Sequence, residues 1–356
     1  MSKTENINPS LGKDENSFIA SYKRSDLETI NQKIKNTIAN GNKVFISPHY
    51  RVDFDALGAA VGMTKICESL GKTSYIIVDD EYEDNTRGIG KLLSELKTKY
   101  NIITSTEAEN IMLENDTLMV LDLNSSSRTP IGKNLDKFEN IIVIDHHKKD
   151  QDTIETKDSY VLDSMSSTCE IVTYLLLENG IDITPDLANY LLSGIVLDTQ
   201  NYIRNASSAT MFTSAVLCIK GANQLEVKKM FDDSFDRYKA VHELTGQAKF
   251  NDNYVVASIY DRVFKKEDIA RAAECLQDFG VDISFAMGYI NINTIAISAR
   301  SDGKFDVGEM MEKLGGGGSR YSATAQVKEK SILEMVEFIH SSIKETNDIK
   351  LLENSK

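Results

Sequence analysis

The chain has 356 residues, 26% of them charged, and a formal net charge of -14 at pH 7 with a sequence pI of about 4.9. That length accommodates two ordinary domains. The acidic balance excludes a broad electrostatic grip on duplex nucleic acid, yet it leaves room for a small anion held by metal ions and a few local cationic or N–H groups. Cys67, Cys169, Cys218 and Cys275 are widely spaced in apolar, helix-like contexts. They read as buried free thiols of a cytoplasmic protein, not as a disulfide framework or thiolate zinc site. The polar N-terminus has no signal-peptide pattern, and no apolar run nears the roughly 20 residues of a membrane span.

Residues 1–24 are polar and mixed in charge and are expected to form an arm. In LETINQKIKNTIANG, residues 27–41, Leu27, Ile30, Ile34 and Ile38 recur at helical spacing before a glycine stop. KVFISP reads as a strand, with His49 directly after it. DALGAAVGMTKICESLG reads as a helix packed closely through its small residues, and TSYIIVD as the next strand. Asp79, Asp80, Glu81, Glu83 and Asp84 then form an acidic cluster, read as a solvated loop in preference to a further metal site. KYNIITST, DTLMVLD and FENIIVIDHH follow as β-branched runs separated by helical segments.

This alternation predicts an α/β domain with a largely parallel sheet. Ligands of such sheets sit beyond the carboxyl ends of the strands, where Asp122 and Asp145-His146-His147 fall. STCEIVTYLLLENG and TPDLANYLLSGIVLDT read as capped helices, the second carrying Asp198 near its far end. The expected organisation is a catalytic domain over residues 25–205, a helical linker over 206–240, a smaller α/β domain over 241–345 and a polar tail over 346–356.

The chemistry concentrates in HYRVDFD, where H-x-x-x-D-x-D spacing puts three metal-ligand types within seven residues. Close carboxylates repel unless they are protonated, spread apart or neutralised by cations. A solvated loop could carry these residues alone, but Asp122, His146 and Asp198 at matching element ends argue for a two-metal site. Imidazoles with carboxylates suit manganese, with iron, cobalt or zinc also open. Two such ions can activate a water and clamp a phosphodiester oxygen. A second candidate is KLGGGGSRYSATAQV, whose glycines expose N–H groups that can surround phosphate; Arg300 and Arg320 could add charged hydrogen bonds. A merely flexible glycine loop is the competing reading. His242 and His340 read as structural or surface residues of helices.

Taken together, these motifs resemble the DHH phosphoesterase family with its DHH-associated C-terminal domain. Asp145-His146-His147 matches the defining DHH, accompanied by HYRVDFDALGAA, VLDLN, GIVLDT and GGGGS across residues 30–345. Within the family, PHYRVDFDALGAA is similar to the catalytic part of membrane-linked cyclic di-AMP phosphodiesterases, commonly close to PHKRPDMDALGAA. The resemblance implies two Mn2+ ions per chain in a cleft between the domains. His49, Asp53 and Asp122 would hold the first ion; Asp55, Asp122, His146 and Asp198 would hold the second. Asp122, His146 and His147 would be catalytic, with His147 also contacting phosphate, and Asp145 would orient an imidazole. Arg300, Gly315, Gly316, Gly317, Gly318, Ser319 and Arg320 would contact substrate.

The implied reaction is hydrolysis of cyclic di-AMP to linear pApA, with onward cleavage to AMP in parts of the family. A homodimer is also compatible with the resemblance. Two departures stand out. The chain carries none of the transmembrane, sensory or cyclase-like segments of the membrane enzymes, and Ser319 occupies the place of the usual histidine in GGGGH. The second departure keeps open a soluble nanoRNA exonuclease or 3′-phosphoadenosine 5′-phosphate phosphatase. A nucleotide sensor that retains metals without turnover is a separate alternative.

Overall fold

In the computed structural model, which describes residues 25–82, 86–149, 152–232 and 235–353, the short β-branched runs of the first half pair as six parallel strands. These are β1 (Val44–Ser47), β2 (Ser74–Ile77), β3 (Ile102–Ile103), β4 (Thr117–Leu121), β5 (Asn140–Asp145) and β6 (Asp158–Val161), in the order β3-β2-β1-β4-β5-β6. Every residue of β1 and β4 is buried, as expected of a parallel sheet covered on both faces. Alternate residues feed two cores. Ile46, Met119, Leu121, Ile142 and Ile144 face one, and Phe45, Leu118, Val120 and Val143 the other.

The helices are α1 (Ser25–Asn40), α2 (Phe54–Ser69), α3 (Gly88–Lys97), α4 (Ser105–Ile111), α5 (Thr168–Glu178), α6 (Pro185–Asp198), α7 (Ser208–Ile219) and α8 (Gln224–Met230). The small residues of α2 do permit close packing. A Cβ on Gly58 would lie 2.6 Å from Tyr190 O, and one on Gly194 would lie 2.6 Å from Asp55 Oδ1. These glycines let α2, α5 and α6 close around Asp55.

The first compact unit extends to Asp232. The stretch 206–240, expected as a helical linker, is therefore divided. Leu217 of α7 and Val227 of α8 belong to the first unit's core, whereas α9 (Phe235–Thr245) packs in the second. The second unit is a mixed sheet in the order β11-β12-β10-β9-β8-β7. Its strands are β7 (Lys249–Phe250), β8 (Tyr254–Val263), β9 (Ile283–Asn291), β10 (Thr294–Ser301), β11 (Gly317–Gly318) and β12 (Ser322–Lys328). β8 and β9 run parallel and the other neighbours antiparallel. α10 (Lys266–Gln277) joins α9 in one apolar cluster; α11 (Val307–Glu312) and α12 (Ile332–Glu353) contribute to another.

Of the cysteines, Cys67 and Cys169 are buried, but Cys218 is exposed and Cys275 half-buried; all four are free. Cys218 lies on a face of α7 that Leu217 turns away from. Among the described residues, no helix is long and apolar enough to cross a membrane.

Candidate metal centre

The chain leaves β1 and β4, adjacent and parallel, toward opposite sides of the sheet. Such a reversal opens a crevice beyond the carboxyl ends of the strands. His49 lies two residues past β1, Asp122 directly past β4, and His146 and His147 directly past β5, while Asp198 ends α6. Donor atoms from these positions gather into two groups: His49, Asp53 and Asp122, and Asp122, His146, His147 and Asp198.

Asp122 belongs to both groups. It is 1% exposed and its φ is +64°, a left-handed conformation in which aspartate is one of the few tolerated residues. Its two oxygens serve different partners. Oδ2 lies 3.4 Å from His49 Nε2, and Oδ1 lies 3.5 Å from His146 Nε2 and 3.8 Å from His147 Nδ1. Oδ1 also accepts a 2.9 Å hydrogen bond from the Thr168 hydroxyl.

Asp53 is likewise divided between roles. Its Oδ1 caps α2, accepting from the N–H groups of Asp55 and Ala56 at 3.0 and 2.9 Å, and its Oδ2 faces His49 Nε2 at 3.6 Å.

The imidazoles suit metal ligation. His49 Nδ1 sits 2.8 Å from Tyr50 O. A neutral ring donating there presents the Nε2 lone pair to the carboxylates, as a ligand would. His146 Nε2 lies 2.8 Å from Asp198 Oδ2 but makes no directed hydrogen bond and is shut off from solvent. A buried nitrogen aimed among carboxylates without a directed partner fits a coordination position.

The site's electrostatics also call for cations. Burial alone would lower the His49 pKa, but the Asp122 and Asp53 carboxylates outweigh it and raise it to about 11. Burial opposes protonation of His146 too, yet Asp122, Asp198 and Asp55 push its pKa up. Burial would raise Asp122, but His146 and His49 hold it well below the usual carboxylate range. Asp55 is pushed up by burial and then by the charges of Asp122 and Asp198. Asp198 is pushed up by burial, against the pull of His146 and with the charge of Asp122 adding to the rise. Protons thus do the neutralising that divalent ions would otherwise do.

Two expected residues stand apart from these groups. Asp55 Oδ2 accepts from Thr168 N at 2.7 Å and Oδ1 from Cys169 N at 2.8 Å. Oδ2 remains 3.9 Å from His146 Nε2, so Asp55 lies against the site and outside both donor groups. Asp145 is fully buried and meets His147, whose N–H is 3.1 Å and Nδ1 2.8 Å from its Oδ1. The Asn124 amide donates to the other Asp145 oxygen at 2.6 Å.

Thr168 and Asn124 carry no metal-ligand signature, although Asn124 closes the VLDLN motif and Thr168 opens a capped helix. SSTCE announces a helix start but not the hydroxyl's reach to Asp122.

The glycine-run candidates lie in the second unit. Gly317 and Gly318 form β11 against Thr324 and Ala323. A Cβ on Gly316 would lie 2.1 Å from Thr324 O, and Gly318 has φ +150°. Gly316 and Gly318 are thus required by a close hairpin, whereas a Cβ on Gly317 would meet nothing within 4 Å. Ser319 Oγ accepts from the Tyr321 and Ser322 N–H groups at 3.3 and 3.2 Å. Arg320 Nε lies 3.5 Å from Asp306 Oδ2. Arg300 pairs with Ser322 across the strands, and its Nη1 donates to Ser298 Oγ and Ala299 O, both at 2.9 Å. Tyr254 OH and His340 Nδ1 are hydrogen-bonded, and the His242 ring packs against Tyr238 at a tilt of 56° with centroids 4.1 Å apart.

Residues 43–195 match the DHH family, N-terminal domain, and residues 251–345 match the DHHA1 domain. The chain is 30% identical over 329 residues to the cyclic-di-AMP phosphodiesterase GdpP of Bacillus subtilis, covering 89% of this chain and 50% of that protein. It thus spans about half the length of that curated relative. It is 25% identical to the bifunctional oligoribonuclease and PAP phosphatase NrnA of Mycoplasma genitalium, covering 83% of this chain and 92% of that protein. A solved exopolyphosphatase-related protein from Bacteroides fragilis shares the fold, with a TM-score of 0.77, 20% identity and coverage of 90% of this chain and 97% of that one.

Proposed function

Because the chain belongs to the DHH phosphoesterase family, with a DHHA1 domain after the DHH domain, we propose that it is a manganese-dependent phosphodiesterase that opens cyclic di-AMP to linear pApA. The observation that carries this reading is the division of Asp122, one oxygen toward His49 and the other toward His146. When bound, two divalent ions would acidify a water and neutralise charge gathering on the phosphate. His49, Asp53 and Asp122 would hold one ion, and Asp122, His146 and Asp198 the other, with Asp55 supporting the second from the first turn of α2, where the N–H groups at the start of α5 hold its carboxylate.

His147 is the most accessible imidazole of the site, its side chain 44% exposed, and Asp145 fixes its Nδ1. This leaves Nε2 to meet a phosphate oxygen. In the reaction one P–O3′ bond breaks, water oxygen bonds to phosphorus, and a proton reaches the departing 3′-oxygen. Arg300, Arg320 and the Gly315–Ser319 hairpin are assigned to substrate. The same chemistry extends to further cleavage of pApA to AMP, and action as a homodimer follows from the family resemblance alone.

A second reading, action on short RNA or 3′-phosphoadenosine 5′-phosphate, is favoured by Ser319. Its hydroxyl is occupied in its own turn and cannot supply the charge of the usual histidine. Product-resolved hydrolysis with Mn2+ decides among cyclic di-AMP, cyclic di-GMP, pApA and pAp at matched concentrations. Preferred conversion of cyclic di-AMP to pApA supports the first reading. Preference for pApA or pAp with little ring opening supports the second, and stoichiometric metal binding without turnover would make the chain a sensor.

A further inference from the structure

The acidic stretch after β2, expected to be a solvated loop, is partly spent on the metal centre's own scaffold. The parallel register sets Ile46 against Ile76, so the segments leaving β1 and β2 run side by side. Three bonds then close between them. Asp80 Oδ1 accepts from the Arg51 N–H and Oδ2 from the Val52 N–H, each at 2.9 Å. The Tyr82 hydroxyl donates to Val52 O at 2.8 Å. Arg51 has φ +58°, a conformation that a long side chain adopts only where its surroundings enforce it.

Tyr50, Arg51 and Val52 separate His49 from Asp53. The clamp therefore lies within the loop that sets the spacing of those two donors. Its base is anchored as well: Asp79 accepts from Ser105 N at 2.6 Å and from Ser105 Oγ at 2.7 Å, tying the segment to the start of α4. Asp53 is meanwhile held from the other side by its capping of α2. His146, directly past β5, and Asp198, at the end of α6, belong to the donor group at the other Asp122 oxygen.

We propose that Asp80, assisted by Tyr82, is a positioning residue for the His49–Asp53 half of the centre, so that one of the two ions depends on it and the other does not. A carboxylate is suited to the task because it offers a separate oxygen to each of two consecutive N–H groups, whereas an amide has a single accepting oxygen. The inference rests on the two-metal reading.

The test uses the full chain and Mn2+ alone, followed by calorimetry and electron paramagnetic resonance, for the parent, Asp80→Ala, Asp80→Asn and Tyr82→Phe. The parent is expected to bind two ions with a spin-coupled signal. Asp80→Ala should keep one ion at parental affinity and weaken the other about 10- to 100-fold, the usual effect of losing a group that orients a metal ligand. An isolated Mn2+ signal should then persist at one equivalent. Tyr82→Phe should shift affinity in the same direction by less. Two parental affinities in Asp80→Ala, or equal weakening of both ions, would overturn the proposal. If Asp80→Ala unfolds, Asp80→Asn and Tyr82→Phe decide by the same criterion. A parent that binds fewer than two ions would instead refute the two-metal reading itself.

Discussion

Thr168→Val isolates one buried hydrogen bond at the centre of the site. Thr168 is fully buried; its hydroxyl donates to Asp122 Oδ1 at 2.9 Å, and its backbone N–H donates to Asp55 Oδ2 at 2.7 Å. Valine keeps the shape and the N–H and removes only the hydroxyl. Hydrogen bonds to charged groups contribute roughly 1.5–3 kcal/mol. The acceptor here is buried and kept ionised by His146 and His49, which points to the upper half of that range. A loss of about 2–3 kcal/mol corresponds to a roughly 30- to 150-fold shift in the folding equilibrium. The chain has no tryptophan, so far-UV circular dichroism during urea unfolding in chelator is the direct readout. Thr168→Ser should recover most of the loss, and Mn2+ affinity should follow the same order across the three proteins. A valine variant within about 0.5 kcal/mol of the parent, the range of neutral surface changes, would refute the role given to this bond.

Asp122→Asn keeps a residue tolerant of φ +64° but removes its charge; it should lose both ions and about a thousandfold or more of phosphodiesterase activity. His242→Ala, on α9, should leave metal stoichiometry and turnover unchanged, and equal activity in Asp122→Asn would contradict the mechanism. In metal-free protein the His49 pKa rises from its ordinary 6.5 to about 11. The folded state therefore binds the extra proton between those values, and that stabilisation is full below pH 6.5 and lost as pH climbs toward 11. Urea midpoints in chelator should fall over that window, and Mn2+ binding should tighten with pH while releasing protons; calorimetry showing no proton release at pH 8 would exclude this exchange. Ser319→His should raise kcat/KM for cyclic di-AMP relative to pApA by roughly tenfold, the equivalent of one charge-assisted hydrogen bond, and an unchanged ratio would remove position 319 from substrate choice.

Much of the first unit is legible in the sequence because its strands are buried on both faces. VFIS and TLMVL are continuous apolar runs, and the first polar residues beyond such runs mark the end of the sheet where ligands gather. His49 and Asp122 are found that way. β6 is not, because in DSYV the residues alternate between buried and half-buried and the run lacks an apolar signature. β3 is read from the β-branched run KYNIITST, although only Ile102 and Ile103 of it pair as a strand. The linker expectation followed the charge between residues 206 and 240, but Leu217 and Val227 contribute to the first unit's core from within that stretch. Supporting residues are harder to read than donors. Asp80 looks like any solvated aspartate, and Thr168 like any helix-start threonine; their partners, Arg51 and Asp122, are close only after the sheet has aligned the loops.

Asp122 shows why this site selects so narrow a residue. The position needs a backbone that accepts φ +64°, which disfavours most side chains with a Cβ. It needs a short side chain, since both oxygens work within 4 Å of different imidazoles. It also needs a full negative charge. Glycine meets the first demand and asparagine the first two; glutamate supplies charge but adds a methylene and lacks the left-handed tolerance. Aspartate alone combines all three. A carboxylate buried to 1% exposure must be paired and hydrogen-bonded to persist as an anion. Here Thr168 supplies the hydrogen bond and His49 and His146 the opposing charge, the latter only by holding protons that a neutral imidazole would not. Folding thus assembles a pocket whose carboxylates are neutralised by borrowed protons, a task that divalent cations held by the two donor groups would take over. The affinity of the site for divalent ions and its dependence on pH are consequently two measurements of one property, the surplus of carboxylates gathered around Asp122.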